Sequence, residues 1–547
     1  MIKLTKLPLF FFAFILSLQL GHAQTNSFET LKSLEIMDQI YEHLDLYFVD
    51  ETKNGQLAKT GIDAMLKELD PYTVYYHESN IEDYRLMTTG QYGGIGALIR
   101  KMGDFTYIAE PYEGKPAQAA GLKAGDKIIS IDGKSMEKKT TEEVSDALKG
   151  PKGTSFDLVV ERNGEGNKSI EMTRDEIKLP DVPYFGMLQN KVGYVKLNSF
   201  TQTASADVKS AIQKLQAQGM QELVLDLRGN GGGLLIEAVK IVNFFVEKNK
   251  VVVITKGRVS EENRTYKTLE DPFAPNMPLV VLIDGGSASA SEILAGSLQA
   301  LDRAVVIGET SFGKGLVQRT YDLKYGSKIK ITIAKYYTPS GRCVQRLEYY
   351  DKENGEKAKE VADSMLKTFY TENGRPVIDG RGIEPDIEVS FEDLSRLAAM
   401  LLVKNHIFNY ATQYATSNPT IAAAGTFKLS EEEYKQFKAY VMAQTDFDYT
   451  TASEEALRKM KETAEKEGYF EDISGQYNQM LEKVTPSKER DLDKFQQEIS
   501  EVLEDEIISR YYYQEGRAKQ QLQADPVVQK GLEILQAPAQ CNTILKN

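Results

Sequence analysis

The chain has 547 residues, which is too long for one hydrophobic core and predicts about three or four domains. Its 41% apolar and 27% charged residues give the balance of an ordinary globular protein. The net charge of −14 comes with no basic stripe of the kind that binds phosphates, which argues against nucleic acid as a partner.

The first 23 residues have the three-part pattern of a secretory signal. Lys3 and Lys6 precede the mostly apolar run 7–20, and Gly21-His22-Ala23 supplies small residues at the two positions that a signal peptidase reads. The alternative is an uncleaved anchor, but a membrane span needs about 20 apolar residues. We therefore expect cleavage after Ala23 and a mature protein in the periplasm or another extracytoplasmic compartment.

Two further regions follow along the chain. Residues 24–89 carry apolar side chains at helical spacing, interrupted by a turn at Asp70-Pro71, and predict a helical module. Residues 90–177 change to short β-like runs between glycine turns, with one good helix from Thr140 to Leu148 that opens with Thr140 and Thr141 as capping candidates. This second region is predicted to be a small β-rich domain.

Residues 178–390 alternate strands with helices, which predicts βαβ units around a largely parallel sheet. The predicted elements are strands Val192–Leu197, Glu222–Asp226, Val251–Ile254, Leu279–Ile283, Ala304–Ile307 and Lys328–Ala334, and helices Ala204–Gln218, Leu235–Glu247 and Ser291–Ala300. Active sites of such sheets lie at the carboxyl ends of the strands. Residues 391–547 are predicted to be helical, with long helices at Glu454–Glu467 and Lys488–Gln514 whose charge runs are most simply solvated faces.

Histidine and cysteine are scarce. There is no histidine between His77 and His406, which excludes a Ser-His-Asp triad built within that region. Cys343 and Cys541 are the only cysteines, so the chain is not a disulfide scaffold, and no Cys/His cluster has metal-ligand spacing. We expect neither a metal nor an organic cofactor.

A serine-rich turn follows the predicted strand Leu279–Ile283. Gly285 and Gly286 let the backbone bend, and Ser289 then falls near the start of a helix, where N–H groups and the helix dipole stabilise developing negative charge. The alternative is that the serines of this turn only cap the helix. A serine nucleophile needs a base, and a neutral lysine can replace histidine in that role.

A candidate base lies 25 residues after Ser289, in Gly313-Lys314-Gly315. A lysine flanked by glycines is more often an exposed turn residue. Gln318 follows four residues later, and its amide oxygen could hold the lysine in register while leaving it free to lose a proton.

A third glycine-rich turn runs from Asp226 to Leu234 between a strand and a helix. It lacks the Lys-Ser/Thr ending of a P-loop and does not fit the dinucleotide fingerprint. The alternative is that a glycine N–H of this turn is one oxyanion-hole donor, with the N–H of Ala290 as the other.

Together these segments resemble the carboxy-terminal processing, or tail-specific, serine protease family from about Phe28 to Asp386. The resemblance is carried by five motifs: Ser287-Ala288-Ser289-Ala290-Ser291-Glu292, Phe312-Gly313-Lys314-Gly315, Asp226-Leu227-Arg228-Gly229-Asn230-Gly231-Gly232-Gly233, Tyr337-Thr338-Pro339-Ser340-Gly341-Arg342 and Gly382-Ile383-Glu384-Pro385-Asp386. It implies that Ser289 is the nucleophile, Lys314 the general base and Gln318 the residue that orients the lysine. It also implies Ala290 and Gly232 as oxyanion donors.

The β-rich region then resembles the inserted PDZ domain of that family. Tyr92-Gly93-Gly94-Ile95-Gly96 is similar to the loop that receives the terminal carboxylate of a peptide, and further matches are Lys115-Pro116-Ala117, Ala120-Gly121-Leu122, Gly125-Asp126-Lys127-Ile128 and Ile131-Asp132-Gly133. A bound peptide would add a strand to the edge of the domain. The alternative is that these glycines serve only turns.

The sequence thus predicts a multidomain α/β protein: a signal (1–23), a helical region (24–89), a PDZ-like domain (90–177), a serine protease core (178–390) and a C-terminal helical region (391–547). The predicted function is a periplasmic or secreted serine endopeptidase that selects proteins with exposed apolar C-termini through the PDZ domain. The helical ends are candidates for self-association or adaptor binding. The alternatives are a non-catalytic peptide-binding scaffold of the same fold and an esterase or amidase acting on small molecules.

Overall fold

The computed structural model describes residues 8–78, 81–349, 358–390, 394–444 and 447–546. These residues divide into a smaller unit, 8–77 with 320–331, and a larger unit that holds the others. Residues 1–7 of the predicted signal and the predicted domain start at residue 391 lie outside the described part.

Within the described ranges, no helix combines the length and the apolar character needed to cross a membrane.

The smaller unit is mainly helical, as predicted. Its elements up to residue 77 are α1 Pro8–Tyr47, α2 Asn54–Lys67 and β1 Val74–Tyr76. The turn before β1 is stabilised by Asp70, whose carboxylate accepts the N–H groups of Tyr72 and Thr73, each at 2.8 Å. Strand β1 pairs antiparallel with residues 328–330, a partner far along the chain that helical periodicity could not indicate.

The predicted β-rich region forms an antiparallel sheet with a short helix on one side. Helix α3 Ile81–Thr89 precedes it and belongs to the larger unit, although residues 24–89 were predicted to form one helical module. The elements from residue 90 on are β2 Gln91–Gly94, β3 Ala97–Met102, β4 Phe105–Pro111, α4 Pro116–Ala119, β5 Lys127–Ile131, β6 Lys134–Ser135, α5 Thr141–Leu148, β7 Ser155–Arg162, β8 Gly166–Thr173 and β9 Asp175–Lys178. The strand order is β3-β4-β5-β7-β8, and β2 pairs separately with β9. Helix α5 begins with a capping box in which Thr140 and Glu143 satisfy each other's backbone N–H, as its sequence indicated.

The predicted protease core is built around a six-stranded sheet. The elements are β10 Tyr184–Met187, β11 Val192–Lys196, α6 Ala204–Ala217, β12 Glu222–Asp226, α7 Leu235–Val242, β13 Val251–Gly257, β14 Arg264–Lys267, β15 Leu279–Ile283, α8 Ala290–Ala300, β16 Val305–Gly308, β17 Leu316–Asp322, β18 Lys328–Tyr337, β19 Leu347–Glu348, β20 Lys359–Glu360, β21 Thr368–Tyr370, β22 Pro376–Ile378 and β23 Ile387–Glu388. The strand order of the six-stranded sheet is β10-β11-β12-β15-β16-β23, and all neighbours are parallel except β10 and β11. Within the larger unit, β13 pairs with β14 and with the end of β18.

Alternate residues of the core strands face opposite sides of the sheet. Leu223 and Leu225 pack on the side of α6, α7 and α8, whereas Val224 packs on the other side. The predicted alternation of strands and helices is confirmed. Helix α7 ends five residues earlier than predicted, at the C-cap Asn243, whose side chain accepts the N–H groups of Leu269 and Glu270.

The C-terminal region is helical, as predicted. Its helices are α9 Arg396–Val403, α10 His406–Ser417, α11 Glu431–Met442, α12 Ala452–Glu467, α13 Phe470–Val484, α14 Lys488–Lys494, α15 Gln496–Gln521, α16 Pro526–Leu535 and α17 Pro538–Lys546. Helices α9 to α11, α14 and α15 share an apolar core rich in tyrosine and phenylalanine. Helix α16 instead packs on the face of the six-stranded sheet that α6, α7 and α8 leave uncovered, and it completes the core there. The predicted multidomain α/β fold is confirmed.

Candidate active site

The predicted nucleophile lies at the turn between β15 and α8, at the carboxyl edge of the parallel sheet. Ser289 directly precedes α8, and its φ of 57° and ψ of −111° are costly for a residue with a side chain, by about 1–3 kcal/mol. Its N–H donates to the Glu292 carboxylate at 2.7 Å, and its carbonyl accepts from the Tyr336 hydroxyl at 3.1 Å. The N–H of Ala288 donates to the Asn230 carbonyl at 3.0 Å. Contacts on both sides of Ser289 therefore hold it in this strained conformation.

The buried carboxylate of Glu292 joins that turn to the loop 311–315, which carries Lys314 and is called the lysine loop below. One oxygen of Glu292 accepts the N–H groups of Ser289 and Lys314, at 2.7 and 2.9 Å. The other accepts the Ser311 hydroxyl at 2.6 Å and the Gly313 N–H at 2.8 Å. Burial raises the pKa of the Glu292 carboxyl, and these hydrogen bonds oppose the rise. The backbone N–H groups of Ser289 and Lys314 donate to the same oxygen of Glu292. The backbones of the two predicted catalytic residues therefore lie next to each other.

The segment around Ile383 holds the lysine loop from its other side. Ser311 donates its N–H to the Ile383 carbonyl at 3.0 Å, and its hydroxyl accepts the Ile383 N–H at 2.7 Å. Gly382 has a φ of 78°, and a Cβ there would lie 2.8 Å from the Ser311 carbonyl oxygen. Gly382 is therefore needed for this segment to lie close to the lysine loop.

Gln318 lies in β17, the strand that leaves the lysine loop. Its amide nitrogen donates to the Thr332 hydroxyl at 3.2 Å, so the amide oxygen is not used in this bond. Lys314 is half-buried, and the next residue, Gly315, donates its N–H to the Gln345 side chain at 2.7 Å. The orienting role of Gln318 stays a prediction.

The glycine-rich turn after β12 lies directly against the nucleophile. A Cβ on Gly232, whose φ is 101°, would be 2.8 Å from the Cβ of Ser289 and 2.9 Å from the Ala290 nitrogen. The N–H of Gly232 donates to the side-chain oxygen of Asn230 at 2.9 Å. The structure thus brings both predicted oxyanion donors beside Ser289, with the Gly232 N–H bonded to Asn230.

Sequence reasoning gave no role to Glu292, Asn230 or Tyr336. A signal for Glu292 was present, because Ser289 and Glu292 have the spacing of a capping box at a helix start. Asn230 is fully buried, and its carbonyl accepts both the Ala288 N–H and the Ser291 hydroxyl. No local pattern indicates such contacts, since they join segments about 60 residues apart.

The predicted peptide-binding segment forms part of a groove on the β-rich domain. Tyr92, Gly93 and Gly94 belong to β2, which pairs with β9, and only Ile95 and Gly96 connect β2 to β3 in the loop conformation that was predicted. Strand β3 ends the described sheet order, so one edge of it is not paired within that sheet. The groove beside it is lined by Tyr92, Gly94, Ile95, Ile99, Ser145 and Leu148.

Comparisons with known proteins match three regions of the chain. Residues 191–349 match the model of peptidase family S41, and residues 107–162 match a PDZ domain. Residues 397–535 match a helical domain described as the C-terminal domain of a probable PDZ-protease.

Similar whole proteins include two bacterial relatives. The chain is 36% identical over 315 residues to a probable CtpA-like serine protease of Staphylococcus aureus, covering 57% of this chain and 62% of that protein. It is 36% identical over 325 residues to a carboxy-terminal-processing protease of Bartonella bacilliformis, covering 58% of this chain and 74% of that protein. The chain thus spans less than two thirds of the staphylococcal relative.

Among solved structures, the photosystem II D1 C-terminal processing protease is 28% identical with a TM-score of 0.37, covering 64% of this chain and 85% of that chain. The PDZ domain of a Vibrio cholerae carboxy-terminal protease, solved in complex with a peptide, is 32% identical with a TM-score of 0.15, covering 16% of this chain and 99% of that chain.

Proposed function

The chain belongs to the carboxy-terminal-processing protease family, peptidase family S41, and we propose that it is a serine endopeptidase that uses a dyad of Ser289 and Lys314. The observation that carries the proposal is the Glu292 carboxylate, which binds the backbone N–H groups of both residues. A merely helix-capping serine would need no such link to a lysine loop on another strand.

In the proposed reaction, the neutral amine of Lys314 takes the hydroxyl proton of Ser289, and Oγ attacks the carbonyl carbon of the scissile peptide bond. The tetrahedral intermediate collapses as Lys314 returns that proton to the leaving amine. Water then attacks the acyl-enzyme, giving up a proton to Lys314, and Ser289 leaves as the alcohol. Gln318 would orient the lysine through its amide oxygen.

The N–H groups of Ala290 and Gly232 are proposed to stabilise the oxyanion. The first N–H groups of a helix have no partner within the helix, which suits Ala290 at the start of α8. The Gly232 N–H would exchange its bond to the Asn230 side chain for one to the oxyanion. Charge that develops only in the transition state then gains hydrogen bonds that the substrate lacks.

The PDZ domain is proposed to select substrates by an exposed apolar C-terminus. An extended tail would add a strand along the open edge of β3, and Ile95 and Gly96 are the nearest candidates to bind its terminal carboxylate. Protein or peptide substrates are the partner class that this groove supports.

The signal-like start of the sequence supports a periplasmic or otherwise extracytoplasmic location. Self-association or adaptor binding through the helical ends is a further proposal. It is supported by the first helix, where Phe28, Leu31 and Leu34 are each more than 60% exposed.

The test is cleavage of an unfolded reporter protein with an apolar C-terminal tail. We expect Ser289→Ala and Lys314→Ala each to lower kcat by at least about 10³-fold. Ser260→Ala and Lys324→Ala change an exposed serine and an exposed lysine and should keep full activity. Equal activity in all five proteins would refute the dyad. Inactivity of the wild type towards reporters and towards a serine-reactive probe would favour the peptide-binding scaffold.

A further inference from the structure

The C-terminal helical region reaches the catalytic sheet through α16. This helix packs on the face of the sheet opposite α6, α7 and α8, and its buried side chains include Val527, Val528 and Leu532. A Cβ added at Gly531 would be in ordinary van der Waals contact with the Val280 side chain, at 3.4 Å, so this face of the helix lies directly on the sheet. The helix is thus in direct contact with the strands that carry the active-site turns.

The residue that begins this helix also contacts the glycine-rich turn. One carboxylate oxygen of Asp525 caps α16 by accepting the N–H groups of Val527 and Val528, at 2.9 and 3.0 Å. The other oxygen accepts from the Arg228 guanidinium at 2.7 Å. The two oxygens therefore have separate roles, one within the helix and one towards the catalytic domain.

Arg228 is held between two carboxylates. The nitrogen that donates to Asp525 also donates to Asp226 at 2.6 Å, and the side chains of Arg228 and Asp525 are only 12% and 10% exposed. Burial alone would lower the pKa of the Arg228 guanidinium, but the two carboxylates raise it above its ordinary value. Asp226 is fully buried and also binds Lys196 at 3.2 Å. Two cations thus balance two carboxylates, and loss of Asp525 would leave a buried excess of positive charge.

Arg228 begins the turn that runs to Gly232. Its carbonyl accepts from Lys196 at 2.6 Å, and the N–H of Gly229 donates to Asp284 at 2.8 Å. Asp284 lies in the turn that leads to Ser289. The placement of Arg228 therefore sets the start of the loop 229–232, which packs against the nucleophile.

We propose that Asp525, contributed by the C-terminal helical region, is a positioning residue for peptide hydrolysis. Through Arg228 it fixes the loop 229–232 against Ser289, so the oxyanion donors are correctly placed only when α16 is docked. The inference rests on the proposed peptidase function for its kinetic consequence, but not for its effect on the loop.

The test is Asp525→Asn in the full-length chain. Asparagine caps a helix about as well as aspartate, so α16 should stay folded while the charge facing Arg228 is lost. With the tailed reporter, we expect kcat to fall by about 10-fold to 100-fold and KM to stay unchanged, because the PDZ groove is untouched. Asp493→Asn removes one exposed charge from the same region and serves as the matched control. Asp525→Ser, a second capping residue, should reproduce the effect.

Amide hydrogen exchange gives a second measurement that needs no catalysis. We expect faster exchange in the loop 229–232 of both Asp525 variants, with α16 as protected as in the wild type. Unchanged kcat together with unchanged loop exchange would overturn the inference. So would complete unfolding of both variants, since that would mark Asp525 as a purely structural residue. An inactive wild type would refute the peptidase function while loop exchange still decides the role of Asp525.

Discussion

Glu292 and Glu110 are both buried carboxylates, 0% and 4% exposed, and burial raises the pKa of each. Glu292 joins two active-site loops, and both of its oxygens have two hydrogen-bond donors. Glu110 lies in β4 of the PDZ domain, facing α15 of the C-terminal region. One of its oxygens accepts from Gln514 at 2.7 Å, and the other has no hydrogen-bond partner among the residues that the structure describes.

Several polar and charged side chains lie near Glu110. Gln118 of the PDZ domain donates to the Tyr513 hydroxyl at 2.6 Å, and Arg510 and Arg517 lie close enough to affect the pKa of Glu110. Tyr513 has a φ of 51° and a ψ of −154°, which kinks α15 at the contact and costs about 1–3 kcal/mol. This contact between β4 and α15 therefore combines a half-satisfied carboxylate with a strained helix.

The difference in hydrogen bonding predicts that the contact made by Glu292 stays closed and that the contact between β4 and α15 opens more easily. A fully satisfied buried carboxylate loses several charge-assisted bonds when its loops separate. A half-satisfied one regains water on opening, which offsets the loss. The active-site loops should thus move together, while the PDZ domain can leave the C-terminal helices at a lower cost.

Breaking the contact that Glu292 makes between the two active-site loops should have the largest effect. In Glu292→Gln the new amide nitrogen must face at least one N–H donor whichever way it turns, because three of the four partners of Glu292 are backbone N–H groups. We expect kcat to fall by about 10²-fold or more, since the two catalytic residues lose their common anchor. Steady-state cleavage of the tailed reporter measures this.

The matched control is Glu237→Gln in the same core. Glu237 is 2% exposed and accepts from the Ser205 N–H and from Lys240, away from the dyad. It should lose stability in urea unfolding with little change in kcat. Comparable kcat losses in both variants would contradict the joining role of Glu292.

The order of the elements could be predicted because its signals are local. Strand-helix alternation, the turn glycines and the cap of α5 at Thr140 are each contained in a few residues, and the structure confirms them. Strand β1 was missed because it is three residues long and its partner lies about 250 residues later. The packing of α16 on the sheet was also missed, since an amphipathic helix does not reveal which surface it covers.

Candidate site residues could be named from motifs, but not their mutual contacts. The sequence placed Ser289 before a helix and Lys314 in a loop, and both positions are as predicted. It could not show that Glu292 joins them or that Asp525 reaches Arg228 across 297 residues, because such pairings depend on the tertiary fold.

A smaller effect is expected where the PDZ domain meets α15. Gln514→Ala removes the hydrogen-bond donor to Glu110 and leaves that carboxylate less satisfied. We expect the contact to weaken by about 1 kcal/mol, so that hydrogen exchange in β4 rises about fivefold. Gln497→Ala, an exposed residue on the same helix, should leave that exchange unchanged. Equal protection of β4 from hydrogen exchange in both variants would show that the contact between β4 and α15 stays closed as firmly as the contact made by Glu292.

The pH dependence of this contact should be the smallest effect and the sharpest test of the comparison. The docked state raises the pKa of Glu110 above its ordinary 4.5, mainly by burial, and the pull of Arg517 and Arg510 does not overcome it. The docked state therefore binds the proton more tightly than the open state, so docking weakens as pH rises from 4.5 through the raised pKa.

Over that interval one titrating group changes the free energy of docking by at most about 1.4 kcal/mol per pH unit. Glu110→Gln keeps an oxygen for Gln514 but cannot ionise, so it should remove the pH slope of β4 exchange that Glu110 causes. Glu113→Gln, exposed on the same domain, should leave that slope unchanged. A slope that persists in Glu110→Gln would mean that the contact between β4 and α15, like the one at Glu292, does not open by titration of its carboxylate.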